Sequence, residues 1–130
     1  MEPLYHIGLD DSHGARYALL PGDPGRVASI AAALDHPRFL HHNREYTTWI
    51  GQVAKQNVLV MSTGMGGPST AIGVEELSRT GVDTMIRIGT CGGMDTRVKG
   101  GDLVIATGAI RMEGTTREYV PIEFPAVAHL

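Results

Sequence analysis

ALLPGDPGRV, residues Ala18–Val27, carries an apolar run straight into two prolines, two glycines, a carboxylate and an arginine, and then into a second apolar pattern. An apolar run that stops at Pro-Gly reads as a buried strand leaving its sheet. The residues from Asp23 onward read as a helix: Asp23 is a good N-cap, and Pro24 suits the first helical position, where its missing N–H costs nothing. Val27, Ile30, Ala31 and Leu34 keep the i, i+3, i+4, i+7 spacing of one buried face. The helix start leaves free N–H groups and the positive end of the helix dipole facing whatever lies beyond the strand, which suits an anion. Gly22 lets a ligand approach the backbone, and Arg26 in the first turn offers a two-pronged guanidinium suited to phosphate. The same residues also read as a well-capped turn with Arg26 in solvent, and this stretch alone leaves both readings open.

Working outward, apolar runs at Tyr17–Leu20, Arg38–His41, Tyr46–Ile50, Asn57–Ser62, Thr84–Ile88 and Leu103–Ile110 read as strands. A second helix is expected from Pro68 to about Thr80, with Ala71, Val74 and Leu77 inward and Gly81 as its stop. Strands alternating with helices argue for a layered α/β domain. The stretch from Gln52 to Asn57 is too short for a crossover helix and fits a hairpin, so the central sheet is expected to be mixed.

A chain of 130 residues suits one domain, and 42% hydrophobic with 19% charged residues describes a globular protein. No stretch has the ~18 uninterrupted apolar residues of a membrane span, and the opening residues lack the apolar core of a secretory signal. The lone cysteine, Cys91, excludes an intramolecular disulfide and favours a reducing, cytoplasmic setting. A formal net charge of −3 argues against nucleic acid as a partner, so an anion would have to be held by a few placed arginines.

Two further arginines fit that requirement. Arg87, in MIRIGTCGG, stands near the end of an apolar strand before a Gly-rich turn, and burying it unpaired would be costly, so it is expected to reach a cleft or an anion. Arg44, in HHNREYTTW, taken alone reads as a surface partner of Glu45. Ligands of open α/β sheets bind outside the carboxyl ends of the strands, where Arg26 and Arg87 are both expected. Other residues take plainer readings. His41 and His42 point to opposite faces of a strand, Cys91 is a small packing residue in its turn, Glu75 and Glu76 lie on the solvated face of the second helix, and Trp49 belongs to the core or an interface.

LPGDPGRV, NREYTTW, STGMGGPST, IRIGTCGG and IEFPAVA together resemble, in order and spacing, the nucleoside phosphorylases of the purine nucleoside phosphorylase and uridine phosphorylase type, with the uridine phosphorylases most similar. The resemblance runs from Tyr5 to the last residue. It implies a three-layer α/β/α fold with a central mixed sheet, incomplete in this chain. It also implies that residues 1–130 are the N-terminal part of a single nucleoside phosphorylase domain whose C-terminal half, with the base-reading residues, is absent.

The activity it implies is reversible phosphorolysis of a ribonucleoside, with inorganic phosphate as co-substrate and no organic cofactor. Gly22, Arg26, Arg87 and Thr90 would hold phosphate, Arg26 and Arg87 as catalytic groups, and Arg44 would reach the phosphate site of a neighbouring subunit. His6, with Tyr5 beside it, would meet the ribose 5′-hydroxyl across the same interface, and Thr90, Cys91 and Gly92 would lie along the nucleoside. By the same resemblance, the positions of Glu45, Met65 and Ser69 are ones that in uridine phosphorylases can hold a potassium ion at that interface. A homo-oligomer built from dimers, up to a hexamer, is implied, with no membrane partner.

The residue types suit the reaction. Phosphate needs positioning, and an oxocarbenium-like sugar needs charge placement more than a covalent nucleophile. Accordingly the chain has no GxSxG, HExxH or Walker sequence, and Gly64-Met65-Gly66 runs into Ser69 where a dinucleotide fingerprint wants a third small glycine. PIEFPAVA leans toward uridine as substrate, whereas GTCGG is close to what the purine enzymes carry. A nucleosidase of the same fold, which uses water and needs no arginine trio, and a non-catalytic phosphate- or nucleotide-binding module remain the alternatives.

Overall fold

Tyr17–Leu20 forms strand β1, with the bounds its apolar run predicts, and its two neighbours set the architecture. The computed structural model describes residues 2–129, which fall into two compact units, one up to Gly89 and one from Thr90 onward. The first unit holds β1, a 3-10 turn at Pro24–Arg26, helix α1 (Val27–Ala31), β2 (Asp35–Asn43), β3 (Tyr46–Val53), β4 (Gln56–Met61), α2 (Gly67–Arg79) and β5 (Thr84–Arg87). Its sheet runs β2-β3-β4-β1-β5. β1 pairs in parallel with both β4 and β5, while β2–β3 and β3–β4 are antiparallel, so the sheet is mixed as expected.

Successive residues of a strand face opposite sides, and both sides here are covered. Leu59 and Met61 of β4 join Ala18, Leu20, Tyr46 and Ile50 in a core beneath Leu77 of α2, with Ile7, Leu9 and Val82. Val60 instead joins Val27 and Ala31 of α1, with Leu19, Leu34 and Trp49 against them. Helix, sheet and helix make the three layers expected from the sequence. Close approach of α2 comes from Gly73, where a Cβ would lie 3.1 Å from the Tyr46 ring and 3.2 Å from the Met61 methyl. The β3–β4 hairpin turns on Ala54 and Lys55, both left-handed at φ 49° and 67° as a tight primed turn demands.

Three expectations are corrected. The first helix does not run unbroken from Pro24: the Asp23 carboxylate accepts from Gly25 N–H at 2.8 Å, and Ser29 Oγ donates to the Arg26 carbonyl at 2.9 Å. These local bonds satisfy the backbone as a 3-10 turn, leaving five residues of α-helix, while Leu34 still packs just beyond them. In α2 Leu77 is buried and Val74 packs against the core as expected, but Ala71 is only half-buried and Gly73 takes the buried position instead.

The strand predicted at Leu103–Ile110 is the third correction. In the second unit only Gly108–Ala109 (β6) pairs, antiparallel to Ala126–Val127 (β7), and Leu103, Val104, Ile105 and Ile110 are exposed. Strand-forming residues make a strand only where a hydrogen-bonding neighbour is supplied, and here two residues find one. This unit is organised instead by Arg111, whose guanidinium donates to the carbonyls of Thr116, Val120, Pro121 and Phe124.

His13, only 8% exposed, closes a 3-10 turn at Asp11–His13. Its Nδ1 accepts from Ala15 N–H at 2.9 Å, so the neutral ring carries its proton on Nε2. Burial pushes its pKa below the ordinary histidine value, against the pull of Asp10 and Asp11. Below about pH 6.5 the unfolded chain therefore takes up a proton that the folded chain resists. Stability is full above that pH and falls as pH drops toward the lowered folded value. His13→Asn, whose carboxamide oxygen can take the Ala15 bond, is expected to flatten this slope in urea unfolding between pH 7 and 5; equal slopes for parent and variant would contradict it.

Candidate anion and nucleoside site

The carboxyl ends of three parallel neighbours, β4, β1 and β5, meet in the first unit. The chain leaves β1 through Leu20, Pro21 and Gly22, and its carbonyls are taken at once: Thr63 N–H donates to Pro21 at 2.9 Å and Ile88 N–H to Leu20 at 3.1 Å. Arg87, last residue of β5, turns its guanidinium back over this junction, donating from Nη1 to the Leu20 carbonyl at 3.0 Å and to the Ile88 carbonyl. The guanidinium then lies against Gly22, where a Cβ would sit 3.1 Å from Nη2. Arg87 thus avoids the unpaired burial that its apolar strand threatens: the side chain is exposed and tethered by backbone carbonyls, which fix its direction without spending its charge.

Gly64, at the exit of β4, joins this junction to a second group. Its carbonyl lies 3.4 Å from the Cβ position of Gly22, and its own φ of 70° is left-handed. A Cβ on Gly64 would come within 2.6 Å of Glu45 Cγ and 2.7 Å of Ser69 Oγ. Those two side chains bond each other, Ser69 Oγ to Glu45 Oε1 at 2.8 Å, and Ser69 Oγ also meets the Thr63 carbonyl. The Glu45 carboxyl is held below its usual range by its own backbone N–H and by Ser69.

Arg44 and Glu45 close the β2–β3 turn, and Arg44 is left-handed at φ 53°. A positive φ suits the first position of a two-residue hairpin turn, as at Ala54 in the β3–β4 turn. The Arg44 guanidinium lies 5.8 Å from the centre of the Tyr5 ring, and Tyr5 meets His6 edge-on with centroids 5.0 Å apart. Arg44, Tyr5 and His6 thus lie together in this chain. Asn43 and Glu76 hold His6 in place, the Asn43 amide donating to its carbonyl at 2.8 Å and Glu76 bonding it directly.

Arg26 ends the 3-10 turn, half-buried, its N–H donating to the Asp23 carbonyl at 3.1 Å. Because the helix after it is short and the Asp23 carboxylate already occupies Gly25 N–H, the helix dipole expected to help an anion contributes little; the charge comes from the arginines. Among the described residues the arginines in an ion pair are Arg16, with Asp83, and Arg97, with Asp95, so Arg26, Arg44 and Arg87, like Arg38, Arg79, Arg111 and Arg117, are in no ion pair. Met65 is exposed, beside Gly64 in sequence. Thr90, Cys91 and Gly92 open the second unit and are exposed, so Cys91 is not the packing residue expected of it. A hollow of about 230 Å³ lined by Gly8, Ser12, His13, Arg38 and His41 shares no residue with this arrangement.

Glu76 is the residue that sequence reasoning misplaces. Its helix position suggests solvent, yet its carboxylate accepts from the backbone N–H groups of His6 and Ile7. One signal points the other way: it stands three residues after Gly73 and one before Leu77, at the margin of the buried face of α2.

An α/β layer with a tethered, unpaired arginine at the carboxyl ends of its parallel strands can bind an oxyanion beside a glycine. The sequence comparisons fit this class: the profile of the Phosphorylase superfamily matches residues 16–129, and the chain belongs to that superfamily. It is 58% identical over 123 residues to the uridine phosphorylase of Treponema pallidum, covering 95% of this chain and 48% of that protein. It is 46% identical over 127 residues to the Escherichia coli uridine phosphorylase (96% and 50%) and 43% identical over 122 residues to a guanosine phosphorylase of Halorubrum lacusprofundi (94% and 51%). The chain therefore spans about half the length of these relatives.

Gly64→Ala places a methyl into Glu45 and Ser69 on a left-handed backbone, and the expected cost is about 2–4 kcal/mol in urea unfolding. A loss under about 1 kcal/mol would show that the Gly64 turn is not constrained as described.

Proposed function

We propose that the protein to which this chain belongs performs reversible phosphorolysis of a ribonucleoside, uridine by preference, giving the free base and ribose 1-phosphate, and that residues 1–130 are the N-terminal, phosphate-binding part of its domain. The observation that carries this reading is the Arg87 guanidinium, held against Gly22 by backbone carbonyls and unpaired with any carboxylate among the described residues. In the reading Gly22, Arg26, Arg87 and Thr90 hold the phosphate, and Arg44 serves the phosphate site of a neighbouring copy in a dimer-built oligomer. Tyr5, His6, Thr90, Cys91 and Gly92 contact the nucleoside.

The chemistry needs little more than placement. A phosphate oxygen forms a bond to C1′ while the C1′–N bond breaks, its electron pair leaving with the base, which takes a proton. The sugar passes through an oxocarbenium-like state, and the phosphate dianion beneath it offsets the developing positive charge. Glu45 and Ser69, 2.8 Å apart, are hard oxygen donors of the kind an alkali cation takes, and with Met65 they would supply one chain's share of a potassium site. A purine nucleoside is the second reading for the substrate, kept open by 43% identity to a guanosine phosphorylase against 46% and 58% to the uridine phosphorylases of Escherichia coli and Treponema pallidum.

The test is base release from uridine, thymidine, inosine and guanosine, with and without phosphate, by a protein of the relatives' length carrying this chain and by its Arg87→Ala variant. Release that requires phosphate, with a KM for phosphate raised roughly 50-fold in the variant, is expected from loss of charge-assisted bonds. Release without phosphate would indicate a nucleosidase, phosphate binding without turnover a binding module, and an unchanged KM in the variant would remove Arg87 from the site.

A further inference from the structure

The Glu76 carboxylate reaches from the last turn of α2 to the opening segment of the chain and engages it three times. Oε2 accepts from His6 N–H at 3.0 Å and from Ile7 N–H at 2.9 Å, and Oε1 lies 2.6 Å from His6 Nδ1. Its side chain is 13% exposed against 30% for His6, so the pair is mostly shielded with the imidazole as its open end. Partial burial pushes the Glu76 carboxyl up, but the bonds from Ile7 and His6 together outweigh this, and it stays below the usual carboxylate range. An ionised carboxylate can only accept, so the proton in the 2.6 Å contact belongs to Nδ1. Neutral His6 is then left with Nε2 as a bare acceptor.

The rest of the segment is fixed as firmly. Ile7 is fully buried in the core, Tyr5 stands at 86° to the His6 ring, and the Asn43 amide holds the His6 carbonyl. Imidazole orientation and tautomer are both imposed from outside the residue, in the way a carboxylate orients a metal-ligating or catalytic histidine.

We infer that Glu76 is the positioning residue of His6, holding it in the Nδ1-protonated form so that Nε2 accepts a hydrogen bond from a hydroxyl of the bound nucleoside. This rests on the reading of His6 as the contact to the ribose 5′-hydroxyl. Glu76 touches no substrate in this account; it acts through His6. A solvated glutamate on a helix surface would do none of this, and neither would a carboxylate that merely capped the backbone of residues 6 and 7.

Glu76→Gln separates these roles. The glutamine oxygen can keep both backbone N–H bonds, while its amide would donate to Nδ1 and so move the ring proton to Nε2. Long-range proton–nitrogen NMR at a pH where the ring is neutral is expected to show protonated Nδ1 and bare Nε2 in the parent, reversed in the variant. In a protein of the relatives' length the variant's KM for a nucleoside is expected to rise about tenfold, the size of one lost hydrogen bond, with the KM for phosphate unmoved. With a 5′-deoxynucleoside the difference should shrink to less than about twofold.

Protonated Nε2 in the parent, the same tautomer in both proteins, or an equal loss with the 5′-deoxynucleoside would each overturn the assignment. The parent spectrum alone can do so even if the variant fails to fold. It also needs no turnover, so a refutation of phosphorolysis and a refutation of the Glu76 role would be told apart.

Discussion

The Leu20 carbonyl takes two hydrogen bonds, from Ile88 N–H at 3.1 Å and from the Arg87 guanidinium at 3.0 Å, and the candidate site depends on that junction. It exists because β1 lies between two parallel partners, which brings the exits of β4, β1 and β5 to one end of the sheet. Between its parallel partners β1 buries Ala18 and Leu20 on one face and half-buries Leu19 on the other, hence its apolar run, and the chain then leaves the sheet at Pro21-Gly22. Gly22 then leaves room for the guanidinium that the Leu20 carbonyl holds. One backbone oxygen thus links sheet topology to the direction of the charge.

The Arg87 guanidinium is met by backbone carbonyls, and several carboxylates of the unit have partners of their own. Asp23 accepts from Gly25 N–H, Glu45 from Ser69, Glu76 from His6 and Ile7, and Asp83 from Arg16. Among the described residues Arg16 and Arg97 are the cationic side chains in an ion pair with a carboxylate, and what sets Arg87 apart from the other arginines is that the Leu20 carbonyl fixes it beside Gly22. An arginine fixed in this way can meet an anion without a broad basic surface.

Much of this was legible in the sequence, for reasons that differ residue by residue. β1 was readable to its ends because Pro-Gly punctuates it, and the Ala54-Lys55 hairpin because six residues cannot hold a crossover. Arg87 and Gly22 were found because arginine in an apolar run and glycine after it are both costly without a purpose. The break after Arg26 was not readable, since Asp23 and Ser29 compete for the backbone through side-chain bonds that periodicity ignores. Leu103–Ile110 misled because strand propensity records fit to a sheet surface, and only β6 pairs in that stretch. Glu76 was missed because its partner lies seventy residues earlier in the chain, a distance over which local pattern carries no information.

The central claim, that the junction of Leu20, Gly22 and Arg87 is an oxyanion site, is tested most directly by titrating inorganic phosphate into isotopically labelled protein and following the backbone amides and arginine side-chain nitrogens by NMR. The account predicts saturable shifts that begin at Gly22, Gly89 and the Arg87 guanidinium and are not reproduced by chloride at equal ionic strength. Shifts absent from these groups, or equally produced by chloride, would contradict it.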